Sequence, residues 1–161
     1  MSFKDHNFRG VYIKASHDTL SEFYIPALSE SVKYTRLIGF FNAGALSLAA
    51  QGLQSFVVNQ GEMHLIIGEP LDDQEYFALK EGSALLEAKT VDFEKQLLAI
   101  LREPPDKLHS LRFDILRFLV AAKRLKIQLA YKRNFKGMVH DKVGLLEDSE
   151  GNKIIFTGSD N

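Results

Sequence analysis

The chain is 161 residues long, 45% hydrophobic and 25% charged, with a formal net charge of −1 and no cysteine. Those figures give one globular domain with its own core. They exclude a disordered or collagenous chain, disulfides and thiolate metal sites. The first nine residues hold no apolar run, so no signal peptide is expected and the expected location is cytoplasmic.

In chain order, Thr19 and Glu22 stand at capping-box spacing, which predicts a helix from Leu20 to about Lys33. A buried strand is expected at Leu37–Phe41. Asn42 then caps a second helix over Ala43–Val58, closed by Gly61. The stretch Leu37 to Gly61 carries no charge and is long enough to suggest a membrane span. Asn42, Gln51, Gln54, Asn59 and several glycines interrupt it, so it reads as a strand and a packed helix instead. Met63–Ile67 is a second buried strand, ending at Gly68. From Asp72 to Arg102 the chain is acidic and mostly helical in pattern, and Pro104-Pro105 stops it. An amphipathic helix is expected from Ser110 to Arg124, with Leu111, Ile115, Phe118 and Leu119 on one face. Ile127–Tyr131 is a third core strand, followed by a loop at Lys132–Gly137. The last two strands, Val139–Glu147 and Asn152–Gly158, form a hairpin around the turn residues Asp148–Gly151. Strands alternating with helices predict an α/β sandwich.

The small net charge hides an asymmetry. Arg112 to Lys142 holds nine Lys/Arg and two Asp, a balance of +7, against −8 for the rest. A segment so basic suits a polyanion, and Lys132, Arg133 and Lys136, in the loop just before His140, are the candidate nucleic-acid contacts. His17 beside the first helix cap reads as structural rather than catalytic. His64 lies in an apolar strand and reads as a packed or edge histidine; His6 and His109 have no partners at ligand spacing, so no metal site and no cofactor are expected.

The C-terminal segment carries the chemistry. It reads His140, Lys142, Glu147, Gly158, Ser159 and Asn161, the spacing H-x-K-x4-[D/E]…G-S-x-N. His can act as nucleophile or proton carrier near neutral pH. Lys142 is a point charge for a phosphate oxygen. Gly158 lets a backbone N–H approach an anion, and Ser159 and Asn161 can donate to the same oxygens. At average residue usage the joint pattern arises by chance in roughly 1 in 10,000 chains of this size. If Glu147 pairs with Asn152 across the hairpin, Ser159 falls opposite His140 on one face, whereas a slip of one residue destroys that arrangement.

On these residues the chain resembles the phospholipase D superfamily of HKD phosphodiesterases, with Glu147 where that family usually has Asp. The layout from Tyr34 onward is also similar to the domain at the N-terminus of some superfamily 2 helicases and restriction-type proteins. The resemblance implies one phospholipase D-like domain over residues 1–161, a mixed sheet with helices on both faces. It implies one half of an active site, completed by a homodimer partner or a second HKD motif, in the N-terminal fragment of a longer chain with a possible helicase region. The implied activity is a hydrolase: metal-independent cleavage of phosphodiesters, with DNA the expected substrate. Catalysis falls to His140, Lys142, Ser159, Asn161 and Glu147, and phosphate binding to Lys142, Gly158, Ser159 and Asn161. Two alternatives stay open, an inactive phosphate- or nucleic-acid-binding module of a helicase, and a phospholipid phosphodiesterase.

Overall fold

The computed structural model describes residues 2–13, 15–39, 52–68, 91–92, 95–96, 98–100, 102, 110–132 and 139–158. The expected strand at Leu37–Phe41, the start of the second helix and the acidic region lie wholly or partly outside them.

Five strands form one mixed sheet: β1 (Ser31–Ile38), β2 (Glu62–Gly68), β3 (Leu125–Ala130), β4 (Val143–Asp148) and β5 (Lys153–Thr157). Their spatial order is β3-β2-β1-β4-β5. The first three run parallel, with Ile38 level with Ile67 and Ile67 level with Leu129, so their carboxyl ends share one edge of the sheet. Next to β1, β4 runs antiparallel, and β5 returns beside it as a hairpin. The fold is therefore α/β.

The core forms on one face of this sheet because strand side chains alternate. Tyr34, Met63, Leu65, Ile67 and Leu146 are buried there. Over them pack α1 (Ile25–Glu30), α2 (Leu53–Val58) and α3 (Ser110–Ala121), through Ala27, Leu28, Leu53, Phe56, Phe113, Leu116 and Leu119. Among the described residues no helix is long and apolar enough to cross a membrane.

Several boundaries differ from those expected, each for a local reason. The first helix stops at Glu30 rather than Lys33. There the Ser31 hydroxyl donates to the Ala27 carbonyl at 2.7 Å, and β1 begins at once. A π-helical turn, Leu20–Tyr24, precedes α1. Pro26 has no N–H to return to the Glu22 carbonyl, so the turn before it widens. Asp18, not Thr19, caps this segment: its Oδ1 accepts from Leu20 N at 3.1 Å, while Glu22 Oε1 accepts from Asp18 N at 3.0 Å. Helix α3 ends at Ala121, not Arg124. Lys123 takes φ +56°, so that Arg124 N reaches the Leu119 carbonyl at 2.8 Å. After α2 the chain turns through Gln60, which takes φ +59°. Gly61 follows because the Phe56 ring fills the space of a Cβ there.

Candidate functional site

The hairpin that carries the motif is built on a three-residue loop rather than four. Asp148 remains in β4 and donates its N–H to the Asn152 carbonyl at 3.1 Å, and Gly151, at φ +81°, closes the turn back on the Asp148 carbonyl. A three-residue loop ending in a left-handed glycine is a common hairpin solution. The consequence is that Glu147 pairs with Lys153, not with Asn152. The register is one residue off the expected one. Lys142, rather than Asp141, meets Gly158, through a hydrogen bond from Gly158 N to the Lys142 carbonyl at 3.3 Å. The pairing that set Ser159 opposite His140 is therefore not the one formed. Ser159 and Asn161 lie outside the described residues, as do Arg133 and Lys136.

His140 and Lys142 precede β4, which begins at Val143 instead of Val139. The segment crosses the carboxyl ends of β1 and β2. A Cβ on Gly39, just past β1, would come within 2.9 Å of the His140 carbonyl, and one on Gly68, which ends β2, would overlap the Val139 carbonyl. Two side chains are missing where the strand ends must let this segment lie flat. Both motif side chains are exposed, as is Lys132, two residues past the end of β3 on the same sheet edge. The outside of the carboxyl ends of parallel strands is where open α/β sheets bind ligands. Replacing Gly68 with Ala should lift Val139 and His140 and lower stability by about 1–3 kcal/mol, checked by urea unfolding and the His140 imidazole NMR signals.

Gly158, just past β5, adopts φ +145°, a conformation open to glycine. Beside it lies Arg36, from the core face of β1 and only 8% exposed. Arg36 Nη2 donates to the Gly158 carbonyl at 3.4 Å, and the guanidinium carbon sits 4.9 Å from the centre of the Phe156 ring. That ring occupies the space above Gly144, where a side chain would collide with it. A cavity of about 540 Å³ opens next to Gly158, between β5 and the N-terminal segment, with Phe8, Tyr12, Phe156 and Arg9 in its wall.

The structure does not bring Glu147 to this end. It lies at the far end of β4, roughly 16 Å along the strand from Lys142. There it pairs with Lys33 at 3.1 Å and Lys153 at 3.7 Å. The hydrogen bond from Lys33 holds its carboxyl below the ordinary value, with the charges of both lysines adding to that. The buried carboxylate of the hairpin is its neighbour Asp148, 1% exposed. Asp148 Oδ2 accepts from Phe3 N at 2.9 Å and from the Asn152 amide at 2.9 Å, and Oδ1 accepts from the N–H groups of Asn152 and Glu150 at 2.8 and 3.0 Å. Sequence reasoning saw Asp148 only as a turn residue. It missed Arg36, whose signal was a lone charge at a core position of β1, between Tyr34 and Ile38. His17 turns back on the Ile13 backbone, its Nδ1 3.0 Å from Ile13 N, a structural place. His64 stands in β2 level with Thr35 and Lys126, away from the motif.

No protein-family model, no curated protein and no solved structure matches this chain.

Proposed function

We propose that this chain is a phospholipase D-like phosphodiesterase domain acting on nucleic acid. The observation that carries the reading is the placement of His140 and Lys142 across the carboxyl ends of β1 and β2, with Gly158 hydrogen-bonded to Lys142. Nucleophile and cation thus lie together at the carboxyl-end edge of the sheet, beside a Gly158 whose N–H is engaged by the Lys142 carbonyl. In the proposed reaction an imidazole nitrogen of His140 attacks phosphorus and the bond to the leaving oxygen breaks, leaving a phosphohistidine. A second histidine gives its proton to that oxygen, then takes one from water, which displaces His140. Lys142, with Ser159 and Asn161 from the rest of the motif, balances charge on the non-bridging oxygens. The second histidine comes from a homodimer partner or from a second motif in a longer chain, with a helicase region as a further expected neighbour. The complete fold on this reading is a sheet with helices on both faces, and the expected location is the cytoplasm. Metal independence is part of the proposal.

Nucleic acid is favoured over a lipid by the cavity beside Gly158. Its aromatic wall and Arg9 suit a base stacked next to the scissile phosphate. The test is incubation of the protein with end-labelled single- and double-stranded DNA in EDTA. Cleavage supports the reading. Retained DNA affinity without cleavage leaves the inactive binding module, and cleavage of phospholipid alone leaves the lipid enzyme. Binding to single-stranded DNA should weaken with salt, with a log–log slope of roughly −3 if Lys132, Arg133, Lys136 and Lys142 each meet a phosphate. Replacing the first three with Ala should flatten that slope by about 2.

A further inference from the structure

Arg36 is the buried cation among the described residues, and those residues satisfy it only in part. Nη1 is sealed from solvent and makes no hydrogen bond. Nη2 has only the long contact to the Gly158 carbonyl, and the face of Phe156 supplies the remaining attraction. No carboxylate among the described residues pairs with it. A charge removed from water without a counter-charge is expensive, and a hydrophobic side chain of similar length at such a position is commonly neutral or better for stability. The cost falls at a telling place. Arg36 holds the carbonyl of Gly158, the first residue of the Gly-Ser-x-Asn part of the motif, and Gly158 donates in turn to Lys142.

We propose that Arg36 is the reserved counter-charge of this site. Its guanidinium fixes the Gly158 carbonyl, and its charge, which meets no carboxylate among the described residues, is neutralised when a phosphate group binds beside His140, Lys142 and Gly158. The inference rests on reading that end as a phosphate site and deepens it. Arg36 is a positioning residue here, acting through Gly158 and through its field rather than by contact with the reacting atoms. Linkage makes the effect reciprocal: Arg36 strengthens phosphate binding, and bound phosphate relieves the penalty of Arg36.

The test is Arg36→Met, which keeps the packing on Phe156 and removes the charge, with Arg36→Lys as the charge-retaining variant. Thermal unfolding is followed with and without inorganic phosphate, and phosphate and oligothymidylate affinities are measured by titration. Without phosphate, Arg36→Met is expected to melt at or above the wild-type temperature. Its affinity for both probes should fall on the order of tenfold, while Arg36→Lys stays within about threefold of wild type. A merely structural arginine gives the opposite sign: Arg36→Met melts lower or does not fold, which overturns the proposal. Unchanged phosphate affinity in a stable Arg36→Met protein, or no phosphate binding by the wild type, overturns it as well. DNA cleavage separates this inference from the enzymatic reading. Equal cleavage by wild type and Arg36→Met defeats the role of Arg36 and leaves the phosphodiesterase standing. Arg36-dependent phosphate binding without any cleavage does the reverse.

Discussion

Replacing His140 with Asn should abolish phosphodiester hydrolysis, by on the order of 10⁴-fold or more, while single-stranded DNA affinity changes by less than about threefold. The size follows from the proposed role. A nucleophile cannot be replaced by binding contacts, because only a covalent bond to phosphorus splits the reaction into two easier steps. The small binding effect follows from position. The His140 side chain is exposed, and its backbone is fixed by the ends of β1 and β2 instead of by the imidazole. Lys132 and Lys142 remain to attract phosphates. Mixing wild-type and His140→Asn protein extends the test. If two copies each supply one histidine, activity falls as the square of the wild-type fraction. If the second motif lies elsewhere in the same chain, it falls linearly. Asn at position 140 with full hydrolytic activity would remove His140 from the mechanism.

The second large effect is on stability. Asp148→Ala should cost about 3–5 kcal/mol, because the buried carboxylate accepts from the N–H groups of Phe3 and Asn152, and both donors would lose their partner. The loss reaches beyond the hairpin, since Phe3 and the first turn (Phe3–Asp5) are tied to the sheet through this carboxylate. The pH dependence has a definite sign. Burial pushes the Asp148 carboxyl up, but the hydrogen bonds from Asn152, Phe3 and Glu150 outweigh it and hold the carboxyl below its ordinary value of 3.8. Its contribution to stability is therefore complete above pH 3.8 and is lost as pH falls through the lowered folded-state value. Asp18, lowered first by its hydrogen bond from Ser21, and Glu147 act in the same direction. Asp148→Asn should then reduce, without removing, the loss of stability as pH falls below 3.8. Urea midpoints of wild type and both variants across that range measure it. An Asp148→Ala midpoint equal to that of the wild type would contradict the role given to this carboxylate.

What the sequence by itself determined is what short-range pattern encodes. Alternation and apolar runs placed the strand at Met63–Ile67 within one residue of β2, and the turn residues Asp148–Gly151 placed the final hairpin. Residue chemistry and spacing singled out His140, Lys142 and Gly158, which the fold brings to one sheet edge. Only the tertiary structure decided the rest. Ser31 and Val32 read as helix until the sheet supplies partners for them, because helix and strand propensities differ too little to set a boundary. The hairpin register hung on whether Asp148 belongs to the loop or to the strand. Its buried hydrogen bond from Phe3, a residue 145 positions away, helps to hold it in the strand, and no local pattern reports that. Arg36 fell between the expected first helix and the expected strand at Leu37–Phe41, where nothing local marks it. Its burial against Phe156 and its reach to Gly158 arise from packing between residues more than a hundred positions apart, where free energy depends on three-dimensional neighbours and not on spacing along the chain.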